Sequence, residues 1–200
     1  MPKIWLTSDT HFSHRNIIKY CDRPFTSVEE MDKAMTDNWN SVVSKEDTVY
    51  HLGDFALPDR RIYTTQNDQD QRVENIIQSL NGNIIIVFGS HDKQAFNNRH
   101  TFSYYYFKNT IVDLNINGVN VIMGHCPMLS WEKRTHGSIH FFGHVHSGPR
   151  APFLCQQNSY DCGVDNNEFK PILFEEAVQK AMSLDGKLTC IDRYDNIVRP

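Results

Sequence analysis

The sequence predicts an α/β fold, because short apolar runs rich in β-branched residues alternate with segments of helical periodicity. Five clusters of polar, metal-binding side chains lie along the chain, and four of them directly follow such an apolar run. In a parallel sheet, the residues that follow each strand lie along one edge, where α/β proteins bind ligands and cofactors. Side chains that are distant in sequence are therefore expected to meet at one polar site.

The first half of the chain contains predicted strands at residues 3–7, 47–54 and 83–88, and predicted helices at 27–43 and about 72–80. The first helix has a candidate N-cap at Thr26 or Ser27 and a stripe of apolar residues at helical spacing, formed by Val28, Met31, Met35, Trp39 and Val42. The polar, aperiodic segment 58–71 predicts a loop. Asn81-Gly82 is expected to end the second helix, because both residues tolerate the left-handed conformation.

The second half of the chain begins with a predicted hairpin. Asn117-Gly118 separates two alternating runs and favours a type I′ turn, in which both central residues need positive φ. Strands are expected at 111–116, 119–123, 138–142 and 160–164. Residues 171–184 contain a predicted helix with one apolar side, formed by Phe174, Val178, Ala181 and Met182.

Length and composition are those of a single compact domain spanning residues 1–200. The formal net charge of −4 and the pI near 6.2 argue against a strong nucleic-acid-binding patch. No apolar run reaches the roughly 18 to 20 residues that cross a bilayer, and the N-terminus lacks a signal-peptide layout. A cytoplasmic protein without membrane contact is expected, with its five cysteines reduced.

The polar clusters are Asp9-Thr10-His11, Gly53-Asp54, Gly89-Ser90-His91-Asp92, Gly124-His125 and Gly143-His144-Val145-His146. Their order and placement resemble those of the calcineurin-like metallophosphoesterases. The Asp-x-His-Phe-x-His-x-Asn motif at 9–16 and the segment 163–171 resemble a subgroup of small phosphoesterases from bacteria and their viruses. The resemblance implies a metallophosphoesterase-type four-layer αββα sandwich with mixed sheets. It also implies a hydrolase that cleaves phosphodiesters or phosphomonoesters with a metal-bridging hydroxide.

The resemblance further implies a ligand set for two divalent metal ions. The first ion would be held by Asp9, His11 and His146, the second by Ser90, His125 and His144, and both by a bridging Asp54. Imidazole and carboxylate ligands without thiolate suit Mn, Fe, Ni, Co or Zn, and Mn is the first choice.

Ser90 departs from the family pattern, which has Asn at this position. A hydroxyl is a shorter and poorer ligand than an amide oxygen, so the second ion is expected to bind more weakly or to take a water there. The departure fits natural drift, a substitution that weakens catalysis, or a tuned metal preference.

His91 matches the family histidine that contacts the phosphate and protonates the leaving oxygen, without binding metal. A hydroxide that attacks in line needs the opposite oxygen protonated or stabilised as it leaves. His91 is therefore expected to act as the general acid, with Asp92 orienting it.

His14, Arg15 and Asn16 are expected to face the bound phosphate, with Arg15 forming a forked pair to its oxygens. The alternative for Arg15 is a solvated surface charge. A chain of this length has little room for a cap domain, so the site is expected to be open and shallow. Such a site suits a small phosphorylated substrate, such as a nucleotide, a cyclic nucleotide or a nucleic-acid end.

Several residues outside the motifs have simpler expectations. His51 is expected to pack in its strand or support the site, and the other histidines outside the motifs, His100, His136 and His140, to be structural or on the surface. Trp131 could line the substrate entrance. The run Tyr104-Tyr105-Tyr106 favours strand packing over base stacking.

Two functions of different classes remain at this point. The first is a metal-dependent phosphoesterase, which the pairing of His91 with Asp92 favours because a scaffold needs no leaving-group acid. The second is a catalytically weak metallophosphoesterase-like scaffold that binds a partner protein, and Ser90 is the feature in its favour.

Overall fold

The computed structural model describes residues 1–96, 106–107, 110–147, 156–183, 190–191 and 197–198. The strands are β1 (Ile4–Thr7), β2 (Thr48–His51), β3 (Asn83–Val87), β4 (Tyr106–Phe107), β5 (Ile111–Ile116), β6 (Val119–Gly124), β7 (Ile139–Phe142), β8 (Ser159–Asp161), β9 (Ile172–Leu173), β10 (Cys190–Ile191) and β11 (Ile197–Val198). The helices are α1 (Arg15–Tyr20), α2 (Val28–Val42), α3 (Gln66–Ser79), α4 (Asp92–Ala95) and α5 (Phe174–Ser183).

The first sheet has five strands in the order β4-β3-β2-β1-β9, of which the first four are mutually parallel and β9 is antiparallel to β1. Thr7 is level with His51, and His51 with Ile86, so β1, β2 and β3 end at the same edge. The loops that carry the first three polar clusters therefore leave the sheet side by side.

The second sheet has the order β5-β6-β7-β8. Its first pair is the predicted antiparallel hairpin, and β6, β7 and β8 are parallel. Asn117 and Gly118 both have positive φ, at 51° and 86°, which confirms the conformation expected at the turn. Met123 is level with Phe141, so the last two polar clusters also leave from a shared edge.

Two apolar cores hold these layers together. The first lies between the first sheet and helices α2 and α3, and includes Met31, Met35 and Trp39 of the predicted stripe. The second lies between the two sheets and also receives the buried face of α5; it includes Leu6, Leu52, Val87, Val121, Met123, Phe141 and Phe174. Because β1 and β2 contribute to both cores, the strands that position the site are covered on both faces, as expected for parallel strands.

The α/β class with two mixed sheets is confirmed, and three local predictions are corrected. Helix α3 begins at Gln66 inside the predicted loop, because Thr65 and Asp68 form a reciprocal capping box. Its C-cap is Leu80 in an extended conformation, and the left-handed residue is Gly82, two positions later. Met182 of α5 is 63% exposed, and Ala177 is buried instead.

Helix α1 was not predicted. Cys21 and Cys126 are free thiols, in agreement with the prediction for these two. In the part of the chain that the structure describes, no helix combines the length and apolarity needed to cross a membrane.

Candidate metal centre

The predicted metal ligands lie in the loops that follow five strands. These loops meet between the two sheets. Asp9, Asp54 and Ser90 follow β1, β2 and β3, while His125 and His144 follow β6 and β7. The two loops after β1 and β2 are joined by backbone hydrogen bonds, with the Asp9 N–H donating to the Gly53 carbonyl at 2.9 Å and the His11 N–H to the Asp54 carbonyl at 3.0 Å. The strand ends thus bring together side chains that are up to 137 positions apart in sequence.

Five of the predicted ligands adopt the left-handed backbone conformation, namely Asp9, His11, Asp54, His144 and His146, with φ between 48° and 73°. Such a conformation is costly for residues other than glycine, and it concentrates at functional sites. In an extended backbone, period-two alternation would point Asp9 and His11 to the same side, but the backbone here is not extended. Their side chains converge because the backbone turns at each of them.

Glycines allow the backbone to approach these side chains closely. A Cβ at Gly89 would overlap the Asp54 carboxylate, and a Cβ at Gly143 would overlap Ser8 and Asp9. Gly53 has φ of +102° and a similarly tight contact with the backbone of Gly89. The absence of a side chain at Gly89 and Gly143 therefore lets the backbone lie directly against the ligand side chains.

Asp9, His11 and His146 form what we call the inner group. One potential ligand atom from each lies within 4.8 Å of the others. Oδ1 of Asp9 and Nε2 of His11 are buried, and among the described residues neither has a hydrogen-bond partner. Buried polar atoms without a partner are costly, and a cation placed between them would satisfy both. The inner group therefore fits a divalent metal ion.

His125, Cys126 and His144 form what we call the outer group, again with ligand atoms within 4.8 Å of one another. Nδ1 of His144 lies 3.2 Å from Nε2 of His125. His125 is buried, whereas Cys126 and His144 are exposed. Cys126 was not predicted as a ligand, although its position next to His125 in sequence could have suggested it.

Asp54 lies between the two groups. Its Oδ2 is 3.6 Å from Nε2 of His11 and 3.4 Å from Nε2 of His125. Burial would raise the pKa of this carboxyl, but the hydrogen bond and charge of His125 and the His91 N–H hold it well below its usual range. Asp54 is therefore ionised, and its Oδ2 lies within 4 Å of a ring nitrogen of a histidine from each group.

The carboxylates also raise the pKa of two of the histidines. Burial lowers the pKa of His125, yet the hydrogen bond to Asp54 and the charges of Asp9 and Asp54 outweigh it and raise the pKa to about 9. For His146, burial is likewise outweighed, chiefly by the hydrogen bond to Asp165, and the pKa rises to about 10. The negative field that raises these two pKa values is the field that would attract a cation, and a bound cation would displace the protons from the rings.

Ser90 is exposed at the edge of the site, and its hydroxyl donates to Asp54 at 3.2 Å. The structure thus places Ser90 beside the carboxylate that joins the two groups. Its predicted role as a ligand of the second ion stays a prediction.

His91 borders the same carboxylate from the solvent side. Its Nε2 lies 3.8 Å from Oδ2 of Asp54, its side chain is 42% exposed, and its backbone N–H donates to Oδ1 of Asp54 at 2.9 Å. The ring is therefore accessible to a bound molecule, while the backbone is held in place.

Asp92 is placed differently from the prediction. Its carboxylate is fully buried and accepts hydrogen bonds from the backbone N–H groups of Asp54, Phe55 and Gly89, at 2.7 to 2.9 Å. Burial raises its pKa to about 6 despite these bonds. Both oxygens are engaged by backbone, so Asp92 joins the loops after β2 and β3 instead of orienting the His91 ring.

The support of the inner group was missed by sequence reasoning. Asp165 accepts from both Nε and Nη2 of buried Arg23 at 2.9 Å, and its Oδ2 lies 2.9 Å from Nδ1 of His146. Arg23 also donates to the carbonyl oxygens of Asp9 and Thr10. The position of Asp165 in the 163–171 segment was the available signal. This ion pair fixes both the ring of His146 and the backbone at Asp9.

His14, Arg15 and Asn16 begin helix α1 at the rim of the site. Nδ1 of His14 lies 3.1 Å from Nδ1 of His11. Burial, followed by the charge of His91, lowers the pKa of His14 to about 4. All three residues line a cleft of about 360 Å³ beside the metal centre.

Of the remaining histidines, those that the structure describes are packed in the interior or lie on the surface, as expected. His51 is buried, with Nε2 3.0 Å from the Thr10 hydroxyl, and His140 is buried with Nδ1 3.0 Å from the Ile122 carbonyl. His136 is exposed. His100 lies outside the described residues, as do the side chains of the tyrosine run at 104–106.

Trp131 does not line the site. Its ring is buried against His140 at a centroid distance of 5.3 Å, and its Nε1 donates to the Ser138 carbonyl at 3.1 Å. The residue therefore packs on the outer face of the second sheet.

Comparison with known proteins relates this geometry to a family. Residues 2–148 match the family model of the calcineurin-like phosphoesterases, and this segment contains every predicted metal ligand. An uncharacterized protein of Methanocaldococcus jannaschii is 34% identical over 182 residues, covering 90% of this chain and 91% of its own. The gene 66 protein of Mycobacterium phage D29 is 25% identical over 171 residues, covering 74% and 80%. The crystal structure of an Aquifex aeolicus protein of unknown function superposes with a TM-score of 0.66 at 25% identity, covering 88% of this chain and 97% of that one.

Proposed function

This chain belongs to the calcineurin-like phosphoesterase family, and we propose that it is a metal-dependent hydrolase of small phosphodiesters or phosphomonoesters. The observation that carries the proposal is the position of Asp54, whose Oδ2 lies 3.4 to 3.8 Å from Nε2 of His11, His91 and His125. One carboxylate thus contacts the inner group, the outer group and the candidate acid.

We assign the residues of the inner group, Asp9, His11 and His146, to the first ion. His125 and His144 would hold the second, with Ser90 or a water beside it, and Asp54 would contact both. When bound, two divalent ions supply Lewis acidity to the phosphate oxygens and lower the pKa of a water molecule. Mn is our first choice of metal, because the donors are imidazole and carboxylate, with Fe, Ni, Co and Zn as the alternatives. The exposed thiol of Cys126 adds weight to Zn among these.

The residues of this chain would then bind, orient and protonate the substrate. The exposed ring of His91 stands beside Asp54 and would donate a proton to the leaving oxygen. Arg15, Asn16 and His14 at the rim would bind the phosphate and the group attached to it. Asp92 and Asp165 act as positioning residues, because they hold the loops and the His146 ring.

The scaffold alternative is less well supported than catalysis. A scaffold would not need a solvent-facing histidine held at the metal centre by its own backbone N–H, as His91 is. We therefore keep the hydrolase as the proposed function.

A metal-by-substrate screen tests the proposal. The protein is stripped with a chelator and then supplied separately with Mn²⁺, Fe²⁺, Ni²⁺, Co²⁺, Zn²⁺ or Mg²⁺. Hydrolysis of bis(p-nitrophenyl) phosphate and p-nitrophenyl phosphate is followed by absorbance. We expect activity to disappear on stripping and to return with Mn²⁺ or a similar ion. Hydrolysis that is insensitive to the chelator, or none with any metal, would overturn the proposal.

A further inference from the structure

A cleft with an unusual charge opens next to the candidate metal centre. Two segments line it: residues 14–16 at the start of α1, and the loop 57–61 after β2. Its volume is about 360 Å³, which lies within the range of small-molecule sites. The His14 ring belongs to the cleft and also contacts His11 of the inner group, so the cleft and the metal centre share a wall.

The cleft is positive although the chain is negative. Its lining contains three arginines, Arg15, Arg60 and Arg61, against one acidic residue, Asp59, which gives three minus one, or +2. The whole chain has a formal charge of −4. The opposite sign of the lining means that the cleft selects anions locally, since clefts of one charge sign concentrate oppositely charged ligands.

Asp59 fixes one of these arginines in place. Nε of Arg61 donates to Oδ1 of Asp59 at 2.9 Å and Nη2 to Oδ2 at 2.6 Å, and these bonds lower the pKa of Asp59 to about 2. The Asp59 carbonyl in turn accepts from the backbone N–H groups of Ile62 and Tyr63 at 2.9 Å. An exposed ion pair adds little to folding stability, so its main effect here is to hold the Arg61 guanidinium in one orientation.

The other two arginines remain available for a ligand. Among the described residues, no hydrogen bond or ion pair engages the side chain of Arg15 or Arg60. Guanidinium groups bind phosphate oxygens through paired, charge-assisted hydrogen bonds. The half-buried Leu57 and the buried Pro58 add an apolar surface between the arginines. Tyr20 stands nearby, 65% exposed, with its ring 6.3 Å from that of His14.

We propose that this cleft binds a second phosphate of the substrate, so that the substrate class is an organic ester carrying two phosphates. The inference rests on the proposed function, because the scissile phosphate would lie at Asp54. Arg60 and Nη1 of Arg61, to which Asp59 makes no hydrogen bond, would contact the second phosphate, and the organic group of the substrate would lie against Leu57 and Pro58. The two phosphates could be contiguous, as in a nucleoside diphosphate, or separated by a sugar, as in a nucleoside 3′,5′-bisphosphate.

Calorimetric titration of the Mn²⁺-loaded protein distinguishes these cases. The three probes are thymidine 5′-monophosphate, thymidine 5′-diphosphate and thymidine 3′,5′-bisphosphate. We expect at least one two-phosphate probe to bind about 10-fold or more tightly than the monophosphate, as one additional charge-assisted contact would give. Preference for the diphosphate assigns the cleft to a contiguous phosphate, and preference for the bisphosphate to one beyond the sugar. Equal binding of all three probes would overturn the proposal.

The double variant Arg60→Gln/Arg61→Gln separates the cleft from chelation by the metal. Both side chains are exposed, so the variant is expected to fold, which circular dichroism checks. We expect the ratio of two-phosphate to one-phosphate affinity to fall to near one. The matched control Lys33→Gln removes an exposed cation on α2 and should leave that ratio unchanged. A ratio that survives in the double variant would assign the preference to the metal centre and refute the cleft.

Hydrolysis of bis(p-nitrophenyl) phosphate or p-nitrophenyl phosphate by the wild-type protein keeps the two proposals apart. Hydrolysis together with equal binding of the three probes would refute the cleft and leave the proposed function standing. Selective binding that depends on the two arginines, without hydrolysis, would refute the function and support an anion site.

Discussion

The inner and outer groups of the metal centre differ in burial and in support. Asp9 and His11 of the inner group are buried, and His146 is held by Asp165, which is itself paired with buried Arg23. In the outer group, His144 and Cys126 are exposed, and Nδ1 of His125 lies 3.0 Å from the Leu52 carbonyl. Hydrogen-bond partners that hold a metal ligand in place commonly change metal affinity by about 10- to 100-fold.

Because of this difference in burial and support, the two ions are expected to bind with different affinities. An ion in the inner group would be held by rings and carboxylates that are already oriented, at little further cost in side-chain entropy. An ion in the outer group would have to order exposed side chains and would exchange with solvent more readily. We therefore expect the outer position to limit the fraction of active protein at low metal concentration.

The largest effect is expected for the substitution of Asp54, because this carboxylate is proposed to contact both ions. Asp54→Ala should reduce hydrolysis by about 10³-fold or more, since loss of one preorganised electrostatic group alone costs about 10²–10³. Metal analysis should show loss at both positions. Asp37→Ala, an exposed carboxylate on α2, is the control. Two ions per chain in the Asp54 variant would rule out its shared role.

The next largest effect is expected at His91, which belongs to neither group. His91→Ala should lower turnover by about 10²–10⁴-fold, the usual contribution of general acid catalysis, with metal content nearly unchanged. The backbone N–H that donates to Asp54 is retained in this variant. Steady-state kinetics and metal analysis on the same sample check it, with His136→Ala as an exposed control. Loss of metal in proportion to turnover would make His91 a ligand instead of an acid.

The sequence predicted the placement of the ligands better than their support. Strand ends followed by Asp or His located Asp9, Asp54, His125 and His144, the last three of which directly follow a glycine. Parallel strands end at one edge whatever the details of the loops. The left-handed backbone at Asp9 and His11 was not predictable from period-two alternation. It depends on the pairing of their loop with the one after β2, which is a tertiary interaction.

The positioning residues could not be recognised from the sequence for a similar reason. Arg23 and Asp165 are 142 positions apart, and neither shows a local pattern that distinguishes a buried ion pair from two surface charges. Asp92 was assigned to His91, its neighbour in sequence, whereas its oxygens face the backbone of the loop after β2 and of its own loop after β3. The cleft arginines at 60 and 61 belong to no motif, and they lie several residues beyond the end of β2.

Asp165→Asn should narrow the difference in metal affinity between the two groups by weakening the inner one. The amide cannot supply the charge that holds Arg23 and His146, so the inner ion should bind about 10- to 100-fold more weakly. The unfolding free energy should fall by about 3 kcal/mol, because a buried guanidinium loses its counter-charge. Metal titration and urea denaturation measure the two effects. Glu168→Gln, exposed in the same segment, is the control. Equal weakening of both ions would show that Asp165 acts on the fold as a whole and not on the inner group.

The smallest effect is expected at Ser90, where a substitution should bring the affinity of the outer ion closer to that of the inner ion. Ser90→Asn introduces an amide oxygen that reaches further than the hydroxyl, while its NH₂ can still donate to Asp54 as the serine does. We expect the outer ion to bind about 10-fold more tightly, which corresponds to about 1.4 kcal/mol, and turnover at low metal concentration to rise with its occupancy. Ser90→Ala is the matched variant, since it removes the hydroxyl and adds no donor or acceptor. Metal titration should rank the outer affinities in the order Asn, Ser, Ala, with the inner affinity constant. If all three proteins bind the outer ion equally, position 90 supplies no ligand, and the serine acts only through its hydrogen bond to Asp54.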